Sequence, residues 1–312
     1  MTPPSQLARA QWDDEETGAP ARRSSSPQEA AGRLLAGYSI EITGSDKAVA
    51  EACEGDMPAG TEVFIAFVPG ESPDRVVEAA RRVQAKGLTP VPHIVARAMT
   101  DPAMLDRLLG RFANEGGVRS ALVLAGDRAQ PDGPYHSSLQ LVETGLFEKH
   151  GISKLSFALH PEGHPKVDAA TMREALQAKL AAARERGLDA RTVSQFSLEA
   201  DPILPRLVAL RGEAPGTGVR VGIAGPTNPK TLWKYALYCG IGNSLKAMHS
   251  HGETFAHLGR HNHPEKVLGE VALALEQSPA PAAPVEGVHI FTFGGVAKSV
   301  AWANQLVAEA RS

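Results

Sequence analysis

The chain has 312 residues, of which 43% are hydrophobic and 21% are charged, and its formal net charge is −3. This length and apolar content predict a large folded domain rather than a disordered chain. The slight negative charge argues against a nucleic-acid or anionic-membrane partner, and no apolar run is long enough to span a bilayer. The two cysteines, Cys53 and Cys239, match no metal-ligand spacing and indicate a reducing compartment.

The first part of the chain differs in composition from the rest. Residues 1–33 are rich in proline, serine, alanine and charged residues, which predicts a disordered leader. Four acidic residues precede any apolar run and argue against a signal peptide, so we expect a cytoplasmic protein. The folded domain is then expected over residues 34–312.

From Tyr38 onwards, short apolar or β-branched runs alternate with longer stretches of helical periodicity. The predicted strands are YSIEI (38–42), EVFIAF (62–67), TPVPHIV (89–95), SALVLA (120–125), KLSFAL (154–159), TVSQFS (192–197), VRVGIAG (219–225) and GVHIFTF (287–293). The clearest predicted helices are SPDRVVEAARRVQAKG (72–87), DPAMLDRLLGRFANEG (101–116) and DAATMREALQAKLAAARERG (168–187). The first and last of these begin at a Ser or Asp cap and end at glycine.

The alternation of strands and helices favours parallel strands joined by helical crossovers. Eight such units over about 270 residues fit an α/β fold of the (β/α)8 TIM-barrel type, and a doubly wound open sheet is the alternative. No GxGxxG follows the first strand, so the turn typical of dinucleotide-binding proteins is missing. Residues 226–286 contain at least two more helices and are predicted to be an insertion late in the barrel, not a second domain.

Polar residues recur at one end of the predicted strands. In a (β/α)8 barrel the active site lies at the C-terminal ends of the strands. The polar residues within or just after those ends are Glu41, His93, Asp127, His160, Glu162, His164, Gln195 and Thr292. Their convergence predicts a functional site, although each one alone also has a structural interpretation.

The structural interpretations differ from residue to residue. Glu41 could face water on an edge strand, although a buried carboxylate is costly unless it is paired or protonated. Asp127 could shape a turn, and His93 could be a hydrogen-bonded core histidine. His160 and His164 could shape a loop or bind a metal. The neighbouring prolines argue against the helix that would bring two ligands four residues apart together, so no metal site is predicted.

A second group of histidines lies in the predicted insertion, in MHSHGETFAHLGRHNH (248–263). A polar surface loop is one interpretation. A histidine group of this density can also bind metal adventitiously, or contribute to substrate binding near the barrel mouth.

Five segments occur in an order that resembles the methylenetetrahydrofolate reductase family, over residues 38–310. They are SIE ending at Glu41, PHI with His93, LVLAGD ending at Asp127, ALHPEGHP (158–165) and VSQF with Gln195. The resemblance implies a (β/α)8 barrel. It also implies NADH or NADPH as the electron source, a bound FAD, and reduction of methylenetetrahydrofolate to methyltetrahydrofolate.

The resemblance also implies roles for individual residues. Glu41 would be the general acid that opens the methylene bridge, as a carboxyl kept protonated because desolvation raises its pKa. Asp127 would be the second catalytic residue, near the pterin or flavin ring. Asp127, Gln195 and Thr292 would bind the folate. The implied cofactor-binding residues are His93, Gly126, His160, His164 and Lys179.

The chain departs from the family pattern at several flavin-binding positions. Ala125 stands where the family has arginine, His160 stands where it has tyrosine, and TFGG replaces Thr-Leu-Asn-Arg in the last strand. Loss of an arginine removes charge-assisted hydrogen bonds to an anionic cofactor. Either FAD is held by other contacts, or no flavin binds and the nicotinamide passes hydride directly to the folate.

Two other functions are compatible with the same residues. One is a folate-dependent one-carbon or methyl-transfer enzyme without redox chemistry, and the other is a non-catalytic folate-binding protein. The sequence does not distinguish NADH from NADPH and does not predict an oligomeric state.

Overall fold

The computed structural model describes residues 26–241, 264–277 and 283–312. Within them, eight parallel strands form a closed barrel in sequence order, with β8 pairing with β1. The strands are β1 (Ser39–Thr43), β2 (Glu62–Ala66), β3 (Thr89–Val95), β4 (Ser120–Leu124), β5 (Lys154–Leu159), β6 (Asp189–Ser194), β7 (Gly218–Ala224) and β8 (Val285–Phe291). The predicted (β/α)8 fold is confirmed, and the alternative open sheet is excluded.

Helices cover the outside of the barrel and follow most of the strands. They are α1 (Pro27–Leu35), α2 (Asp46–Glu54), α3 (Pro73–Ala85), α4 (Pro102–Glu115), α5 (Ser138–Glu143), α6 (Leu146–Lys149), α7 (Ala169–Glu185), α8 (Ile203–Glu213), α9 (Pro229–Tyr238), α10 (Pro264–Gln277) and α11 (Val296–Glu309), with a short 3-10 helix at Ala96–Ala98. The Ser72 and Asp168 side chains accept hydrogen bonds from the first turns of α3 and α7, as their capping roles predict. None of the helices in the described ranges is both long and apolar enough to cross a membrane.

Helix α1 begins inside the stretch that the composition assigns to a leader. Ser26 and Glu29 form a reciprocal capping box at its start. One face of α1 is buried against α10 and α11, and Gly32 approaches the backbone of Leu306 so closely that a side chain would not fit. The leader predicted over residues 1–33 therefore overlaps a helix of the folded domain, and residues 1–25 lie outside the described residues.

The insertion before β8 contains α9 and α10, which confirms the two helices predicted there. The histidines of the second group lie outside the described residues. They are His249, His251, His257, His261 and His263.

Apolar side chains pack on both sides of the barrel wall. The larger core lies between the outer face of the strands and the helices. A smaller one fills the barrel itself with Phe64, Val91, Leu122 and Val193. Because side chains alternate along a strand, a barrel strand can contribute to both cores.

A group of charged side chains, here called the charged floor, closes the N-terminal end of the barrel. It consists of Arg191, Glu62, Glu286 and Arg220. The Arg191 guanidinium, only 2% exposed, binds both carboxylate oxygens of Glu62 at 2.7 Å and one oxygen of Glu286 at 3.2 Å. Arg220 Nε lies 2.9 Å from the Glu62 carboxylate. Buried charges persist only when they are paired in this way. The floor and the apolar layer above it leave the opposite end of the barrel as the place for a site.

Candidate functional site

Glu41 lies at the centre of the barrel interior. Its neighbours in β1, Ile40 and Ile42, pack outward into the core beneath the helices, so the alternation along the strand turns Glu41 inward. Its Oε2 atom lies 3.4 Å from Nε2 of His93 and 3.7 Å from Nε2 of His289. The Glu41 side chain is 24% exposed, whereas His93 is 9% exposed and His289 is 0% exposed. A closed barrel has no edge strand, so the edge interpretation of Glu41 is excluded.

The two imidazoles determine the charge of Glu41. Burial by itself would raise the pKa of this carboxyl. The nearness of the polar, titratable rings of His289 and His93 outweighs burial and lowers the pKa to about 2. Both separations are longer than a normal hydrogen bond, and neither Nε2 atom has a hydrogen-bond partner among the described residues. The lowering of the Glu41 pKa therefore rests on the short distance to the two imidazoles and not on a formed hydrogen bond. In the ligand-free protein the pKa of Glu41 is thus shifted down, opposite to the direction that burial alone predicts.

His289 is the member of this cluster that the sequence reasoning missed. It lies on β8, its ring meets Phe64 edge-on at 4.5 Å, and its Nδ1 lies 3.0 Å from Oγ of Ser39. Burial lowers the pKa of His289, although Glu41 acts in the opposite direction. The signal was present in HIFTF, because alternation along β8 turns His289 and Phe291 to the same inner side.

Thr292 follows β8 and supports Glu41 from the backbone. Its hydroxyl donates a 2.7 Å hydrogen bond to the carbonyl oxygen of Glu41, and the residue is buried. The Thr292 hydroxyl therefore already donates its hydrogen within the protein, and it could only accept a hydrogen bond in the predicted contact with folate.

Gly126 and Asp127 follow β4 at the rim of the barrel. Gly126 has a φ of +94°, and a Cβ atom there would lie 2.5 Å from Cγ1 of Val95. Only glycine suits this position on both counts. The turn leaves Asp127 exposed at the mouth of the barrel.

Cys239, directly after α9, lies close to both predicted carboxylates. Burial first, then the charges of Glu41 and Asp127, raise the pKa of its thiol to about 12, and a contact from the Gln195 side chain acts in the opposite direction. Burial and Asp127 also raise the pKa of the neighbouring Tyr238 hydroxyl. The structure thus gathers Glu41, Asp127 and Gln195 around one end of α9.

Four rings form an aromatic wall at the same end of the barrel: Phe196, Phe291, Phe293 and Tyr235. Tyr235 and Phe293 are stacked at 4.6 Å, and Phe196 contacts Phe293 at 5.0 Å and Phe291 at 5.5 Å. Phe291 also contacts the ring of His289 at 4.8 Å and pairs in register with Glu41. Phe293 has a φ of +48°, unusual for a bulky side chain, so the surrounding packing holds it in place.

His160 and His164 lie in the turn after β5. Their rings meet edge-on at 5.3 Å, and Nδ1 of His164 accepts a hydrogen bond from the backbone of Lys166. Burial, followed by the charges of His164 and Lys179, lowers the pKa of His160 to about 4. The segment is not helical, as its prolines predict.

Lys179, on α7, is separated from the Glu41 cluster by the barrel wall. Its Nζ lies 5.4 Å from the ring centroid of Phe157, which belongs to the core between barrel and helices. Burial lowers the pKa of Lys179 to about 8. The residues assigned to a cofactor therefore divide between the barrel interior, where His93 faces Glu41, and the helix side of β5, where Lys179 lies near His160.

Glu162, the acidic residue of ALHPEGHP, joins two loops. Its carboxylate accepts a 2.7 Å hydrogen bond from the hydroxyl of Ser197, which follows β6. Over residues 26–241, 264–277 and 283–312, no group of three or more histidine, cysteine, aspartate or glutamate side chains is arranged to hold a metal ion.

Comparison with known proteins supports the fold. No protein-family model matches the chain. A Clostridium thermocellum protein that binds two copies of 5-methyl-5,6,7,8-tetrahydrofolic acid is similar over 89% of this chain and 98% of its own, at 12% identity and a TM-score of 0.57. Dihydropteroate synthase from Thermus thermophilus aligns over 86% of this chain and 93% of its own, at 15% identity and a TM-score of 0.45. At 12% identity, the likeness to the Clostridium thermocellum protein concerns the fold alone.

Proposed function

We propose that this chain binds a reduced folate at the barrel mouth and reduces methylenetetrahydrofolate to methyltetrahydrofolate with hydride from NADH or NADPH. The observation that carries the proposal is the Glu41 carboxylate in the barrel interior, 3.4 Å and 3.7 Å from two imidazoles and at the same end of the barrel as an aromatic wall. The resemblance of the segments around Glu41, Asp127 and Gln195 supports the substrate. The Clostridium thermocellum protein supports the capacity of such a barrel to bind a reduced folate.

The charge of Glu41 is matched to the charge that forms in this reaction. When the methylene bridge opens, the bond from the methylene carbon to N10 breaks, N10 takes up a proton, and a cationic iminium remains at N5. Hydride then adds to the iminium carbon, which gives the methyl group. A fixed anion in a site with little water stabilises a developing cation strongly. Thr292 holds the Glu41 backbone in place for this role.

The proton for N10 also passes through Glu41 in this proposal. A carboxyl with a pKa of about 2 carries no proton at neutral pH. A folate that covers Glu41 removes the remaining water, and desolvation favours the neutral acid. We propose that Glu41 takes up its proton as the folate binds and delivers it to N10.

The other residues of the mouth suit a flat, polar heterocycle. The partly exposed rings of the aromatic wall, Tyr235, Phe291 and Phe293, offer apolar surface for such a ring. Asp127 and Gln195 supply a carboxylate and an amide at the rim, which fit the donors and acceptors along the edge of a pterin.

The proposal does not include a flavin. The residues predicted to bind one lie in two places, His93 beside Glu41 and Lys179 on the helix side of β5, and Ala125 stands where the family has an arginine. Nicotinamide, when bound, supplies the hydride. The protein's part is to orient the folate, exclude water and position Glu41.

The test is an assay of the purified protein with NADH and methylenetetrahydrofolate. We expect NADH oxidation that depends on the folate, methyltetrahydrofolate as product, and no flavin absorption bands in the protein. Glu41→Gln should lower kcat by about 100-fold or more and leave folate binding in place. Glu54→Gln, at an exposed carboxylate that ends α2, is the matched control and should keep the full rate.

Three outcomes would overturn parts of this proposal. Tight folate binding without any NADH oxidation would indicate a binding protein. Methyl or one-carbon transfer in the absence of nicotinamide would indicate a transferase. Flavin bands that bleach on addition of NADH would refute direct hydride transfer.

A further inference from the structure

The Ser39 hydroxyl beneath Glu41 can donate its hydrogen in two directions. Ser39 is fully buried, and its Oγ lies 3.0 Å from Nδ1 of His289 and 3.4 Å from the carbonyl oxygen of Val288. A hydroxyl has one hydrogen to donate and two lone pairs that accept. The 3.0 Å contact fits donation in either direction, and the Glu41 carboxylate 3.7 Å from Nε2 favours hydrogen on Nε2 and therefore donation from Ser39 to Nδ1.

This hydrogen bond determines which nitrogen of His289 carries hydrogen. If Nδ1 accepts from Ser39, a neutral imidazole must carry its hydrogen on Nε2. Nε2 faces Oε2 of Glu41 at 3.7 Å and has no hydrogen-bond partner among the described residues. The N–H group therefore points at the carboxylate, whereas the other tautomer would place a lone pair against it.

The same pair of residues can also accept an additional proton. If His289 becomes doubly protonated, Nδ1–H donates to the Ser39 oxygen, and the Ser39 hydroxyl turns to the Val288 carbonyl oxygen. No other group has to move, because the hydroxyl rotates about a single bond. Serine at this position thus provides a partner for both protonation states of the ring.

We propose that Ser39 and His289 are positioning residues that set the protonation of Glu41 from below. In the ligand-free protein they present an N–H group to the carboxylate and keep it ionised. When a proton enters the cluster, the imidazole can hold it before it passes to Glu41. The catalytic consequence rests on the proposed function, but the arrangement itself is a property of the protein without ligands.

The charged and titratable groups around this pair are few. Glu41 on β1, His93 on β3 and Arg220 on β7 act on His289, and the Arg220 charge disfavours a second proton on the ring. Cys239 faces Glu41 from the end of α9. After loss of His289, His93 remains as the imidazole beside Glu41.

The first test is the tautomer of His289 in the ligand-free protein. In ¹⁵N-histidine-labelled protein at neutral pH, long-range proton–nitrogen correlation spectra should show His289 with hydrogen on Nε2, assigned by its absence in His289→Gln. Ser39→Ala should shift the ring towards the Nδ1–H tautomer. An Nδ1–H tautomer or a doubly protonated ring in the unmodified protein would overturn the proposal.

The second test is the titration of the Glu41 carboxyl, followed by ¹³C NMR. In the unmodified protein it should stay ionised to the lowest pH at which the protein remains folded. His289→Leu should raise its apparent pKa by about one unit or more, because the polar imidazole beside the anion is replaced by an apolar side chain. His289→Gln, whose amide can donate instead, should raise the Glu41 pKa less than His289→Leu does. The Glu41 pKa in Ser39→Ala should lie between the values for these two His289 variants.

Two comparisons separate this role from simple packing. In the His289→Leu background, Ser39→Ala should have no further effect on the Glu41 titration. His150→Leu removes a histidine that is paired with Asp106 on another face and should change nothing at Glu41. If Glu41 titrates at the same pH with and without His289, the proposal fails.

The kinetic consequence can be separated from the structural one. If the protein is a reductase, the alkaline limb of kcat should move to higher pH in His289→Leu, because Glu41 acts in its protonated form. An inactive protein with the expected tautomer would refute the proposed function alone. An active reductase in which the Glu41 pKa is unchanged by loss of His289 would refute this inference alone.

Discussion

The ionised state of Glu41 has a measurable effect on stability. The folded-state pKa of about 2 lies below the ordinary value of 4.5, so the unfolded chain binds a proton more readily than the folded protein. The stabilisation is therefore complete above pH 4.5 and is lost as the pH falls towards 2. The difference corresponds to about 3 kcal/mol, at about 1.4 kcal/mol for each unit of pKa.

Urea unfolding of the native chain and of Glu41→Gln at several pH values would measure this effect. Glutamine fills the same space and does not ionise, so the difference in free energy of unfolding isolates the charge. Near pH 3 the carboxyl is mostly protonated in the unfolded chain and still ionised in the folded protein. By then, about 2 of the roughly 3 kcal/mol should be gone. Glu54→Gln is the control at an exposed carboxylate.

Two results would refute this reasoning. A difference between the native chain and Glu41→Gln that stays constant from about pH 6 to about pH 3 would mean that the imidazoles do not lower the pKa of Glu41. A variant more stable than the native chain at neutral pH would mean that burial outweighs the imidazoles. The latter result would restore the protonated carboxyl expected from the sequence.

Three further predictions concern the surroundings of the site. Arg191→Met should lower the free energy of unfolding by about 3–5 kcal/mol, because it leaves the Glu62 carboxylate buried without its main partner, and a loss below about 1 kcal/mol in urea unfolding would contradict the floor's role. Thr292→Val should cost about 1–2 kcal/mol by leaving the Glu41 carbonyl oxygen unpaired, whereas Thr292→Ser should retain most of the stability in the same assay. Alkylation of Cys239 by iodoacetamide near neutral pH, followed by mass spectrometry in a Cys53→Ser background, should be on the order of 1,000-fold slower than for an unhindered thiol, and a rate equal to that of a free thiol would exclude its raised pKa.

The fold could be predicted because its pattern is local and repeated. Runs such as TPVPHIV and KLSFAL are apolar on both sides, as strands enclosed by helices must be, and both have the predicted bounds in the structure. The sixth strand ends at Ser194, so Gln195 follows the strand rather than lying inside it. Helix α1 was missed because its composition resembles a linker, although Ser26 and Glu29 carry the spacing of a capping box.

The sequence predicts only those site residues that lie at the C-terminal ends of the strands, because these ends meet on one side of the barrel. Glu41, Asp127 and Gln195 were found because parallel strands end on the same side of the barrel. The charge of Glu41 could not be predicted, since it depends on His93 and His289 in two other strands. The contact between Ser39 and His289 joins residues 250 positions apart, and no local pattern encodes such a meeting. The aromatic wall was missed for the same reason.

The charged floor closes the N-terminal end of the barrel, so a ligand enters the interior from the C-terminal end. A ligand that reaches the depth of Glu41 passes the rim at Asp127, and it must leave by the same route. Two substrates that enter from the same end cannot bind and dissociate independently, because the one nearer the rim blocks the one deeper in the barrel. In the proposed reaction, the folate brings its methylene carbon to Glu41 and would therefore bind first and leave last. An ordered sequence of binding, visible as product-inhibition patterns in steady-state kinetics, would follow from the salt bridges at the opposite end of the barrel.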